Sequence, residues 1–279
     1  RPVAAVTTTL AGAIGSPTAR PIAVSPRRAF LAVLGRDLFV TWHEAPILLA
    51  QVILQPLFLL FVFGRILSDL GYTQGGYAQL LFPGIVALTA TLTALQSTAF
   101  PLAIEFSYTK EIEDRLLAPL PVAWVAVEKV IYASLRALTA AAVMFPVGIF
   151  VLGSIPWRSS GAPLVMLTLV LGALNGAALG LTLGTLVPPN RINILFALVL
   201  TPLLFTGCSQ YPWPSLSRLA WFQWLTTLNP LTYVSEGMRA ALVPKTPHMA
   251  PWICVTMSVL FLATFTTVGI KGFLRRAID

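Results

Sequence analysis

Six long apolar runs set the terms for everything else in this chain. A helix needs about 20 mostly apolar residues to cross the hydrocarbon core of a bilayer, and in lipid only a helix or a closed barrel satisfies its own backbone. Pro46–Ile66, Leu80–Ala103, Val130–Gly153, Ala162–Val187, Ile192–Ser209 and Trp252–Gly272 meet that requirement by composition. The expected fold class is an all-α integral membrane protein with six transmembrane helices. Charged residues fill only 10% of the 279 positions, against about 25% in a soluble domain, which leaves too little polar surface to face water. Residues 1–26, rich in Ala, Thr and Pro, read as a mobile arm, and 27–279 as one transmembrane domain.

Orientation follows from where lysine and arginine fall. Arg1, Arg20, Arg27, Arg28, Arg36, Lys110, Arg115, Lys129, Arg191, Lys271, Arg275 and Arg276 gather on one side of the six runs, whereas Arg65, Arg158, Arg218, Arg239 and Lys245 gather on the other. Arg136 falls inside the third run. Twelve against five puts both termini in the cytoplasm of a multi-pass cell (inner) membrane protein. The net charge of +8 does not indicate nucleic acid, because the basic residues flank apolar runs rather than interleave with aromatics. They suit the anionic inner leaflet instead. All seven tryptophans lie at or outside the ends of the runs, as interfacial anchors do.

Three segments are not simple spans. Pro26 to Ala45 places Phe30, Leu31, Leu34, Leu38 and Trp42 on one helical stripe and Arg28, Arg36 and His43 on another, the pattern of an interfacial helix. It reads as a membrane anchor, or as an anchor that also touches a cytoplasmic partner. The loop from Glu105 to Lys129 is the most charged part of the chain. Within it Lys110 with Asp114 and Glu111 with Arg115 are spaced i,i+4, Ile112 and Leu116 share a face, and Pro119 and Pro121 stop the helix. A short charged helix with an apolar knob suits a groove on another protein, or a solvated loop. Gln210 to Pro251, on the outer side, carries two helical patterns, Leu216–Leu228 and Leu231–Leu242, divided by Asn229-Pro230. These are re-entrant half-helices or helices lying on the surface.

Inside the spans, Gly172, Gly176, Gly180 and Gly184 repeat every four residues and form a groove for close helix packing, within the subunit or between subunits. Asn175 beside it is expected to bond a neighbouring helix. Gln51, Gln55, Thr89, Thr93 and Gln96 are candidate pathway residues, since amides facing lipid are costly. Arg65 and Asp69 are spaced to pair. No acidic residue stands at a span centre, which argues against a proton-coupled carrier. His43 and His248, the only histidines, fall on opposite sides, so no metal site and no general base is expected of them. Cys208 and Cys254 both fall towards the outer side and read as two buried thiols or as one bridge. No G-x-x-x-x-G-K-[ST] occurs, so the chain does not hydrolyse ATP through a P-loop, and no catalytic residue is assigned.

Two stretches resemble a known family. Lys110-Glu111-Ile112-Glu113-Asp114-Arg115-Leu116-Leu117-Ala118-Pro119 is similar to the coupling segment of ABC-2 type transporter permeases, with Ile112 where members often have glycine. Asn229-Pro230-Leu231-Thr232-Tyr233, followed by Arg239, resembles the signature in that family's long external loop. The order of elements fits across Arg27 to Arg276, and the charged loop is closest to the daunorubicin-resistance and multidrug type. The resemblance implies two permease subunits, identical or paralogous, on two cytoplasmic ABC ATPase subunits that carry ATP and Mg. It implies that Lys110–Leu116 docks on the ATPase, with Glu111, Glu113 and Arg115 as coupling contacts, and that cargo passes between the permeases. The expected function is export of a hydrophobic or amphipathic drug, antibiotic or lipid. Export of a polysaccharide or glycolipid, and a scaffold without a pathway, are the alternatives.

Overall fold

A computed structural model describes residues 26–72, 76–106, 121–187 and 192–278. Residues 107–120, with the charged loop helix expected there, and residues 1–25, most of the arm, lie outside it. Among the described residues there are no strands. The longer α-helices among them are α1 (Pro26–Leu59), α2 (Tyr77–Ile104), α3 (Val122–Leu152), α4 (Ala162–Leu186), α5 (Ile192–Thr206), α6 (Ala220–Thr226), α7 (Pro230–Leu242) and α8 (Pro251–Ile278). Among the described residues five helical stretches are long and apolar enough to cross a membrane: Val52–Asp69, Tyr77–Ile104, Val122–Leu152, Ser159–Leu186 and Pro251–Arg276. The remaining apolar run forms α5, whose 15 residues rise about 22 Å, short of the ~30 Å core.

The expected break between an interfacial helix and the first span is absent. The backbone is helical without interruption from Pro26 to Leu59, through Pro46 and Pro56, and continues as a π segment over Leu60–Ile66. Each proline removes one backbone donor, and a helix that has neighbours tolerates this. Phe30 meets Trp124 edge-on at 5.7 Å between ring centres, so the start of α1 stands beside the start of α3. Gly64 lies in the π segment, where a Cβ would meet Leu152 at 2.9 Å, so the far ends of α1 and α3 also touch. Arg65 and Asp69 pair at 3.0 Å on the exposed surface there.

α3 starts at Val122, well before the Val130 expected from hydropathy, and carries Glu128 and Lys129 inside the helix, both buried. Hydropathy counts these charges against a span. Lys129 escapes that cost by pairing with Glu105 at the end of α2.

α4 is the axis of the bundle. Its four glycines face α2: a Cβ on Gly176 would lie 2.2 Å from the carbonyl oxygen of Thr91, one on Gly180 2.5 Å from that of Leu95, and one on Gly184 3.2 Å from that of Ala99. Gly172 takes the side chain of Val234 as well, at 2.6 Å. On another face Asn175 donates to the Ser258 carbonyl at 2.9 Å and Thr182 to that of Phe265 at 2.9 Å, which ties α4 to α8 in parallel. α2, α4 and α8 therefore run one way, from the far end of the bundle to the end near the termini, and α1 and α3 run the other.

Candidate functional site

Among the described residues two clusters of charge are enclosed by the bundle, one at each end. The first is built on α7. Asn229 caps this helix by accepting from the Leu231 amide at 2.9 Å, and Pro230 supplies a first residue that needs no N–H partner. The Asn229 amide also donates to Leu203 O and Thr206 Oγ1 of α5, both at 2.9 Å. Thr232 donates to Thr226 O at 2.6 Å and Tyr233 to Thr227 O at 2.8 Å, which closes α6 against α7. Every residue of α7 is buried.

α7 lies antiparallel along the first half of α4. Ala241 reaches Gly161, Thr168 bonds Met238, and Val234 fills the notch at Gly172. The Glu236 and Arg239 side chains are fully enclosed and pair with each other, one turn apart on α7. Glu236 accepts from the Trp213 amide at 2.9 Å and from the Met249 amide at 2.8 Å. Arg239 donates to Cys208 O at 3.0 Å and Leu80 O at 3.5 Å. Four points of the chain outside α7 are thus tied to one ion pair, including Cys208, which adopts a left-handed backbone at φ 49°. Cys208 and Cys254 are both buried and free, so they form no bridge.

The second cluster sits at the end of the bundle near the termini. The Lys129 ammonium donates to Glu105, and the two residues are 6% and 7% exposed. Next to Glu105, the Phe106 ring stands edge-on to Phe273 at 5.4 Å, and the Arg276 guanidinium lies 4.8 Å over it. Arg276 also donates to Gly184 O at 2.9 Å and Val187 O at 3.2 Å, carbonyls that the end of α4 leaves open.

The described candidate pathway residues differ in exposure. Gln55 is exposed on α1, among the exposed side chains of Leu54, Phe58 and Phe61. Thr89 and Thr93 are enclosed on α2, where Thr89 donates to its own Ile85 carbonyl at 2.8 Å, and Gln96 is half-buried. The Gln51 side chain, and all of Lys110, Glu111, Ile112, Glu113, Asp114, Arg115 and Leu116, lie outside the described residues. Sequence reasoning missed Glu236, Glu105 and Lys129 as interior groups, and the half-buried Arg276 beside them. The available signal was opposite charges at i,i+3 within α7, and at the facing ends of two apolar runs. Among the described residues no group of three or more His, Cys, Asp or Glu side chains is placed to hold a metal.

A family model described as ABC-2 type transporter matches residues 28–243, well over half of the chain. The chain belongs to the ABC-2 type transporter family. Proteins named "Putative transport permease ycf38" are similar to it, at 28% identity over 219 residues in Cyanophora paradoxa, covering 75% of this chain and 72% of that one. The same-named protein of Porphyra purpurea is 27% identical over 218 residues, with the same coverage of each chain. This ABC-2 permease is accordingly a multi-pass membrane transport subunit that works with an ABC ATPase and is not itself catalytic.

Proposed function

We propose that this permease is the membrane-spanning half of an ATP-driven exporter that moves a hydrophobic or amphipathic drug, antibiotic or lipid out of the cytoplasm or inner leaflet. Two permeases, identical or paralogous, stand on two ATPase subunits in the cell membrane with their termini in the cytoplasm. α5 makes a short sixth crossing. α6 and α7 fill the outer leaflet beside it as re-entrant half-helices, since the rise of α4 from Gly161 to Gly172 is about 16 Å, half of the ~30 Å core. The segment Lys110–Leu116 docks on the ATPase, so ATP binding pushes on it and tilts the bundles apart.

One observation carries the reading of the cargo. Gln55 stands exposed beside the exposed side chains of Leu54, Phe58 and Phe61. An amide is costly against lipid, but an exposed amide beside apolar side chains suits a seam between two permeases through which amphipathic cargo passes. Thr89 and Thr93, enclosed within one subunit, line that route only if α2 turns during transport.

The test is ATP-dependent flux in vesicles holding the permease with its ATPase, measured for a lipophilic fluorescent cation and for a lipid-linked glycan. The expected result is movement of the first and not the second, with flux lowered in Gln55→Leu at unchanged ATP hydrolysis. Movement of the glycan alone would replace the cargo class. Absence of any ATP-dependent flux would leave only the scaffold reading. Replacing Glu113 and Arg115 by alanine is expected to leave membrane insertion intact and separate ATP hydrolysis from flux.

A further inference from the structure

We propose that the buried Glu105–Lys129 pair, with Phe106 and Arg276 beside it, is the joint through which movement of the 107–120 segment enters the membrane bundle. This rests on the reading that the segment docks on the ATPase. The segment leaves α2 just after Phe106 and rejoins the fold at Pro121, before α3. Close to its start Glu105 pairs with Lys129, two turns into α3, so the end of α2 is fastened to the first part of α3, and both residues are enclosed. Phe106 is held at the same level between Phe273 and the Arg276 guanidinium of α8, and Arg276 grips the last carbonyls of α4. A displacement of the segment, carried along the chain into α2 and α3, is shared between the two helices by the ion pair, and reaches α4 and α8 through the Phe106 ring and the Arg276 guanidinium.

Net stability does not account for a charged pair here. A buried ion pair contributes no more than well-packed apolar residues of similar volume, and often less. What it adds is a short, directional, charge-assisted bond, whereas apolar contact is non-directional and lets two surfaces slide. A joint that transmits a push needs the first property. Glu105 and Lys129 are therefore assigned as positioning residues, which act through the helices they join.

The test separates a joint from a structural staple. The permease is reconstituted with its ATPase, and three quantities are read: ATPase retained on purification, ATP hydrolysed, and cargo moved per ATP. The apolar double variant E105L/K129M is expected to fold, retain its ATPase and hydrolyse ATP, while cargo moved per ATP falls about 5-fold, within the range by which residues between two sites alter their coupling. The reversed pair E105K/K129E is expected to restore most of the loss. Should E105L/K129M fail to fold, Glu105→Asp, which keeps both charges but shortens the reach, is expected to show the same fall. Wild-type cargo per ATP in E105L/K129M or Glu105→Asp would overturn the joint, as would a reversed pair coupled no better than the apolar one. Loss of the ATPase from the unaltered permease would sink the docking reading first, and the joint with it.

Discussion

Two glycines make the residue-scale case with opposite signs. A Cβ on Gly176 would lie 2.2 Å from the backbone oxygen of Thr91, and a backbone atom in a packed helix has nowhere to go. Gly176→Ala is expected to destabilise the bundle by about 1–3 kcal/mol, the cost of overpacking a filled interior. A Cβ on Gly35, in α1, would meet nothing within 4 Å, and Gly35→Ala is expected to stabilise by about 0.5–1 kcal/mol through helix propensity alone. Thermal unfolding of both variants in one detergent checks the pair, and equal shifts would mean the α2–α4 contact is looser than the geometry. Arg239 follows a different rule. Its removal leaves the Glu236 carboxylate enclosed without its cation, so Arg239→Ala is expected to cost about 3–5 kcal/mol. Removing both charges together should cost less than the sum of the single changes, because the second change relieves the first.

At the scale of elements, the α6–α7 pair stands or falls with Asn229. Asn229→Ala loses the cap, worth about 0.5–2 kcal/mol, and also the two donations that hold the base of the pair to α5. Asn229→Ser keeps an oxygen to cap the helix and loses the donations, so it is expected to fall between the parent and the alanine variant. Protease cleavage between Trp213 and Pro251 in detergent reads that order directly. The break at Asn229-Pro230 was legible in the sequence because a cap and a first-turn proline leave a local signature. The apolar length of α2, α4 and α8 was equally plain, since length in lipid is a matter of composition. The early start of α3 was not legible. Glu105 and Lys129 each read as loop charges until their partner is known, and pairing is a property of two distant positions. The continuity of α1 through Pro46 hid for a related reason: a proline forbids one hydrogen bond, and whether neighbours make the bend tolerable is decided elsewhere in the fold. Nor does periodicity reveal that α7 is enclosed on every side, because Glu236 and Arg239 give it a polar face that the fold then covers.

For the whole molecule, one orientation fixes all the rest. α1 and α3 run against α2, α4 and α8, so locating any one end in the cell locates every end. The proposed orientation, with the end near the termini in the cytoplasm, rests on the charge asymmetry of twelve basic residues against five. The molecule provides a clean way to read this, because both native cysteines are enclosed and will not compete for a thiol reagent. Lys245 and Arg275 are exposed at opposite ends. In intact cells whose outer barrier has been removed, a membrane-impermeant maleimide is expected to label Lys245→Cys at once and Arg275→Cys only after the membrane is opened. Arg275→Cys removes one of the twelve charges and leaves the asymmetry standing, so the substitution does not itself turn the protein over. The reverse labelling order would put the Glu105–Lys129 cluster on the outer surface. The charged 107–120 segment would then face away from any cytoplasmic ATPase, and the docking reading would fail with the orientation.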